Sequence, residues 1–296
     1  MERQESNNNM IYSKIILFGE YSMILDSKAL MFPFRKFFAQ WRNGQDKVAE
    51  FSRKSIFSLV EYLEKDAELC ELIDTKSIKN DLNQGLYLFS NIPSGYGLGS
   101  SGALVAALWQ RYATQTIGDF LELKRVFGRM ESFFHGSSSG IDPLQCYIGK
   151  PFVINKDGVR LLPDDFIDSR VEIGLIDTKT KSGTGPLVRH FREMLNDVVY
   201  KNRFENEYLS CLNRCMETIS QGGDDFFGNL SQFTAFQNEL FEPMITSDTR
   251  HLFATQYDFH FGVKILGSGG GGFVLCFTDD RRMASNLLSK FDVIWL

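Results

Sequence analysis

Residues 93–103 read Pro-Ser-Gly-Tyr-Gly-Leu-Gly-Ser-Ser-Gly-Ala; a strand-like segment, Leu86 to Phe89, precedes them and the apolar stretch Leu104 to Leu108 follows. That order constrains the fold more than any other feature of the chain. Glycines let the backbone take positive φ and approach a ligand closely. The first turn of the following helix offers N–H groups that have no partner within the helix, together with the positive end of its dipole. A strand, a glycine loop and a helix N-terminus in succession make a cradle for phosphate. Ser100 and Ser101 add neutral hydroxyl donors or an oxygen ligand for Mg²⁺. Taken alone, the same loop also reads as an ordinary Gly/Ser helix cap.

A second cluster, Gly267-Ser-Gly-Gly-Gly-Gly272, lies between two apolar strand-like segments, Val263 to Leu266 and Phe273 to Phe277. Small residues in such a run pack no core, so close backbone approach to something bulky is the expected use. The alternative is a flexible linker, although linkers seldom separate two strands.

Composition removes several function classes. The net charge of −5 and the lack of a basic stripe argue against a nucleic-acid partner. No apolar run approaches the roughly 20 residues a membrane helix needs, so no membrane partner is expected. Residues 1–10 read as a polar, disordered tail rather than a signal sequence, which makes the cytoplasm the default location. The five cysteines lack metal-site spacing and read as reduced thiols, while the 27 phenylalanines read as core filling.

Along the chain, Lys14 to Phe18 reads as a buried strand and Ser22 to Leu25 as a second strand-like piece. Ile56, Leu59, Val60 and Leu63 recur at helical spacing within a helix expected over 48–73. Further helices are expected near 119–134 and 282–290 and almost throughout 186–245. Strands are expected at 151–155 and 171–177, with a loop over 135–142. Strands dominate early and helices later, which suggests two α+β lobes, 11–180 and 181–296.

Five segments in order resemble the GHMP kinases and, within them, the mevalonate kinases. They are Lys14-Ile-Ile-Leu-Phe-Gly19-Glu20-Tyr21; Pro93 through Gly97-Leu98-Gly99-Ser100-Ser101-Gly102-Ala103; Glu131-x-x-x-His135-Gly136-x-x-Ser139-Gly140-Ile141-Asp142; Asp177-Thr178-Lys179 through Thr184; and Lys264-Ile-Leu-Gly267 through Gly272. The resemblance spans nearly the whole chain. It implies a two-lobed GHMP kinase fold of the α+β class, with a ribosomal protein S5 domain 2-like N-terminal lobe and a ferredoxin-like C-terminal lobe. It also implies ATP-dependent phosphorylation of a small-molecule alcohol, with Mg²⁺, by a monomer or homodimer acting in isoprenoid biosynthesis.

By position, the resemblance implies that Pro93, Gly95, Gly97, Leu98, Gly99, Ser100, Ser101 and Gly102 hold the nucleotide phosphates, and that Ser101 and Glu131 are Mg²⁺ ligands. Asp142 matches the catalytic aspartate and Lys14 the lysine paired with it. Because a carboxylate is a weak base for an alcohol, its expected role is to orient the hydroxyl and accept the proton late, in a loose transition state. Glu20, Tyr21, His135, Ser139, Gly140, Thr178, Lys179, Lys181, Gly269 and Gly270 are the implied acceptor-side residues, His135 chiefly by positioning the 136–140 loop.

The departures bear on the acceptor. Tyr21 stands where mevalonate kinases usually carry His, and Gly-Glu-Tyr is the form seen in many phosphomevalonate kinases; Ser138 replaces the usual Pro and Leu266 the usual Thr. The stretch between the first two motifs is shorter than in eukaryotic mevalonate kinases. Mevalonate is the expected acceptor, and Lys179 and Lys181 offer cations for its carboxylate. The alternatives are phosphomevalonate, a sugar, or a non-catalytic regulator of the same fold, the last of which would be expected to have lost one of Lys14, Ser101, Glu131 and Asp142.

Overall fold

The structure is a computed structural model that describes residues 10–25, 27–181 and 183–296. The tail expected over 1–10 therefore lies outside the described residues except for Met10, which opens the first strand, β1 (Met10–Phe18). Two compact units interleave along the chain. One holds the residues up to Lys14, Phe32–Ser94 and Leu98–Lys150; the other holds Ile15–Met31, Gly95–Gly97 and Pro151–Leu296.

The first unit takes the start of β1 and most of β2 (Ala29–Asn43), then α1 (Lys47–Leu63), α2 (Ala67–Leu72), α3 (Thr75–Asn83), β3 (Leu86–Ser90), α4 (Ser100–Tyr112), α5 (Phe120–His135) and α6 (Ile141–Ile148). β3 runs antiparallel to β2, with Ala39 opposite Ser90 and Asn43 opposite Leu86. Ile56, Leu59, Val60 and Leu63 line the buried face of α1. The single helix expected over 48–73 is in fact two. The Asp66 carboxylate accepts the Leu69 N–H and so starts a new helix after α1 has ended, because a short acidic side chain satisfies first-turn donors outside the helix ladder. Helix α4 buries nearly every side. The Trp109 ring meets Phe127 edge-on, with centroids 5.5 Å apart, and this contact locks α4 to α5.

The piece at Ser22–Leu25 is a single 3₁₀ turn rather than a strand. The fifteen-residue β2 that follows was not foreseen, since Pro33 within its apolar start argues against a strand.

In the second unit, Ala29–Met31 of β2 pairs with β4 (Phe152–Asn155), which forms a hairpin with β5 (Gly158–Leu161). Then follow β6 (Glu172–Asp177), α7 (Thr184–Met194), α8 (Val198–Arg203), α9 (Leu209–Thr218), α10 (Gly223–Leu240), α11 (Arg250–Ala254), β7 (Phe261–Ile265), β8 (Phe273–Thr278), α12 (Arg281–Leu287) and β9 (Val293–Trp295). The second sheet is antiparallel in the order β7-β8-β6-β9. β7 and β8 are buried along their whole length, so neither alternates apolar with exposed polar residues, and the one charge in β7, Lys264, is buried with the rest. Helix α10 packs directly on β7: a Cβ on Gly262 would stand 2.7 Å from the Leu230 side chain. The Thr234 hydroxyl donates to the Val263 carbonyl at 2.7 Å. The Phe18 ring lies 5.6 Å from Phe233 and 5.8 Å from Phe277, so the abundant phenylalanines do fill this core.

Candidate active site

In the first unit, β1 delivers Lys14 to the start of α4. Its backbone N–H donates to the Leu98 carbonyl at 3.1 Å, and its ammonium lies 2.8 Å from Asp142 Oδ1. The Lys14 side chain is 1% exposed against 31% for Asp142. A buried ammonium is tolerated only with such a partner. Asp142 stands in the first turn of α6 rather than in the expected loop, where the helix dipole favours a carboxylate. Two glycines permit this approach. A Cβ on Gly102 would stand 2.8 Å from the Asp142 carbonyl carbon and from Pro143 N, and a Cβ on Gly99 2.8 Å from Lys14 Cγ. The starts of α4 and α6 therefore touch backbone to backbone.

Beside this pair lies Glu131, on the last turn of α5 and 4% exposed. Its Oε1 accepts from Ser101 Oγ at 2.7 Å and its Oε2 from Ser138 Oγ at 2.5 Å. His135 Nε2 is 3.1 Å from Ser101 Oγ. Because the single Ser101 proton goes to Glu131, Nε2–H is the donor in that contact. Burial, and then the charge of Asp142, push the Glu131 carboxyl up to about 7, against the opposing hydrogen bonds from Ser138 and Ser101 and the charge of Lys14.

A buried carboxylate of this kind, touching a hydroxyl, fits Mg²⁺. Among the described residues no cluster of three or more His, Cys, Asp or Glu could hold a metal by itself. Mg²⁺ commonly takes one or two protein oxygens and completes its shell with phosphates and water. Sequence reasoning notes Ser138 as a replacement for the usual Pro but gives it no site role; the available signal is a hydroxyl close after Glu131 in a small-residue loop. Ser139 is exposed, and its Oγ accepts the Ile141 N–H at 3.4 Å at the start of α6.

The glycine loop before α4 has the conformation its glycines permit. Gly95, Gly97 and Gly99 all have positive φ, at 80°, 74° and 75°. Gly99 occupies the N-cap of α4 and no side chain caps that helix, so the first-turn N–H groups of Ser100, Ser101 and Gly102 sit at an open helix start. Leu98 is buried and Pro93 half-buried.

The second unit brings the two glycine clusters together. A Cβ on Gly272 would stand 2.9 Å from Tyr96 Cα, and one on Gly97 would lie 3.4 Å from the Leu266 carbonyl oxygen. Gly270 N–H donates to the Met244 carbonyl at 2.5 Å, and a Cβ on Gly269 would lie 2.5 Å from the same oxygen. The Thr178 hydroxyl donates to the Gly272 carbonyl at 2.8 Å. Tyr21 is buried against Phe191 and Phe241, and its hydroxyl donates to the Ser268 carbonyl at 2.7 Å. Burial first, and then the Glu20 charge, raise its pKa far above the ordinary phenol value. Glu20 Oε1 accepts from Lys264 Nζ at 2.5 Å, with both side chains essentially unexposed. This ion pair, which joins the first and last motifs, was not foreseen. Lys179 is exposed and its ammonium contacts Asp177 and Asp292; Lys181 is exposed.

Three comparisons bear on this geometry. The profile of the GHMP kinases N terminal domain matches residues 55–150. A mevalonate kinase from Thermococcus gammatolerans is 24% identical over 91% of this chain and 88% of its own length. Among solved structures, L. major mevalonate kinase in complex with R-mevalonate superposes with a TM-score of 0.63 at 17% identity, covering 96% of this chain and 90% of that one. Streptococcus pneumoniae phosphomevalonate kinase superposes with a TM-score of 0.67 at 13% identity, covering 96% and 97%. The domain profile, the full-length relative and the shared fold agree: residues 55–150 match the N-terminal domain of the GHMP kinases, and the chain as a whole is a mevalonate kinase-like, ATP-dependent kinase.

Proposed function

We propose that the chain transfers the γ-phosphoryl group of ATP to the 5-hydroxyl of mevalonate. The observation that carries the reading is the connected cluster of the first unit, in which the Lys14–Asp142 pair adjoins the Ser101–Glu131 pair at the start of α4. Phosphoryl transfer to an alcohol needs positioning, charge neutralisation and a proton acceptor, and these side chains can supply all three.

In this reading, the first-turn N–H groups of α4 hold the nucleotide phosphates. Asp142 orients the acceptor hydroxyl; as the alcohol oxygen bonds to the γ-phosphorus and the bond to the β-phosphate oxygen breaks, the hydroxyl proton passes to the Asp142 carboxylate. Lys14 fixes that carboxylate and places a positive charge beside the reacting oxygens. Ser101 and Glu131 would hold Mg²⁺, which when bound offsets the charge of the β- and γ-phosphates.

Mevalonate is favoured over phosphomevalonate by the mevalonate kinase relative that spans most of the chain. A dianionic phosphate on the acceptor calls for paired arginines. Near the matched motifs the candidates are Arg189 and, one turn on, Arg192 of α7, so the choice of mevalonate rests on the relative. Lys179 already contacts two carboxylates, so exposed Lys181 is the better candidate for the mevalonate carboxylate. The test is ATP consumption with mevalonate, phosphomevalonate, homoserine and galactose as acceptors. The highest kcat/KM is expected with mevalonate, and a higher value with phosphomevalonate would overturn the choice of acceptor.

A further inference from the structure

Ser138 does more than fill a loop. Its hydroxyl donates to Glu131 Oε2 and accepts the Gly140 N–H at 3.0 Å, so one side chain ties the carboxylate on α5 to the residue that caps α6. Ser101 donates to the other carboxylate oxygen. Each oxygen of Glu131 thus receives one neutral donor, which fixes both the side-chain torsions and the plane of the carboxylate.

The loop itself has little room to shift. A Cβ on Gly140 would stand 1.9 Å from the Lys124 carbonyl oxygen, and one on Gly128 2.9 Å from the Ser138 carbonyl oxygen. Backbone pressed onto backbone in this way holds Ser138 against α5. The same loop leads within four residues into Asp142, so the orientation of Glu131 and the placement of the start of α6 are linked through a single hydroxyl.

We infer that Ser138 is a positioning residue for metal binding: it holds Glu131 in the orientation that accepts Mg²⁺ and couples that orientation to the Asp142 helix. The inference rests on Glu131 being a Mg²⁺ ligand. Partners of this kind around a ligating side chain change metal affinity by about 10- to 100-fold when removed.

The test is metal binding measured without turnover. Mn²⁺ is titrated into the enzyme·ADP complex and free ion is followed by electron paramagnetic resonance, for wild type, Ser138→Ala, Ser138→Thr and Glu131→Gln. Ser138→Ala is expected to raise the Mn²⁺ Kd by about 10-fold or more, with ADP affinity in EDTA unchanged. Ser138→Thr keeps the hydroxyl and is expected to restore binding to within about 3-fold of wild type, which separates the lost hydrogen bond from loop damage. A Ser138→Ala curve that overlays wild type while Glu131→Gln binds weakly overturns the role of Ser138. A Glu131→Gln curve that overlays wild type removes Glu131 from the metal site, and this inference falls with it.

Discussion

The Lys14 ammonium is buried and lies 2.8 Å from Asp142, whose own side chain stays 31% exposed. The asymmetry shows which partner depends on the other. Lys14 cannot be solvated where it sits, so Asp142 is the group that neutralises it, while Asp142 keeps an open side, which under the proposed function receives the acceptor hydroxyl. Replacing Lys14 with Met should therefore cost stability only modestly, about 1–3 kcal/mol, because the remaining carboxylate can still reach water. The larger effect should be on turnover, with kcat lower by at least about 10²-fold and nucleotide affinity changed by less than about 10-fold. Thermal melts and steady-state kinetics on one preparation check both numbers.

The contact between α4 and α6 depends on Gly102 lacking a side chain. Gly102→Ala should force the two helix starts apart, cost about 1–3 kcal/mol as overpacking does, and depress kcat by moving Asp142 away from the phosphate loop. Gly228, exposed on α10, is the control, since a Cβ added there would meet nothing within 4 Å. Gly228→Ala should stabilise by up to about 1 kcal/mol and leave kinetics alone.

Glu131 gives the metal-free protein a pH dependence of known sign. Its folded pKa, about 7, lies above the ordinary carboxylate value of 4.5, so the folded state holds a proton that the unfolded state releases between those values. The stability it contributes is fully present below about pH 4.5 and is lost as pH rises through 7. Melting temperatures in EDTA should fall across that window for wild type more steeply than for Glu131→Gln, which cannot titrate. Equal slopes for the two proteins would show that Glu131 is ionised throughout.

Lys264→Met should be among the costliest single substitutions in the second unit. It leaves the Glu20 carboxylate buried without the cation 2.5 Å away, a loss of about 3–5 kcal/mol. Glu20→Gln combined with Lys264→Met should recover much of that loss, because an amide is far cheaper to bury than a charge. Urea unfolding of the four proteins in this cycle gives the coupling energy directly. Additive losses would mean that the two side chains act independently.

Much of the site is legible in the sequence because its residues lie on local signals. The glycine loop after β3 announces a helix start, and the spacing of Glu131, Gly140 and Asp142 carries the family resemblance without any tertiary information. What stays hidden depends on contacts between residues far apart in sequence. Asp292 lies well over one hundred positions beyond Lys179, so no local pattern shows that the lysine expected to meet a substrate carboxylate already contacts two protein ones. Tyr21 reads as an acceptor-side departure from the usual His and Lys264 as one residue of the last motif, yet packing against Phe191 and Phe241, and pairing with Glu20, bury them. Pro33 obscures β2, and Asp142 reads as loop because the glycine two positions before it looks like a turn rather than the cap of a short helix.

Single-turnover phosphorylation of mevalonate by Asp142→Asn tests the central assignment most directly, because the substitution keeps the shape of the side chain and removes its capacity to accept a proton. With enzyme in excess over radiolabelled ATP, the phosphoryl-transfer rate should drop by roughly 10²- to 10⁴-fold while ATP affinity and melting temperature stay close to wild type. A rate within a few-fold of wild type, in a variant that binds ATP normally, would contradict the account and place proton acceptance elsewhere.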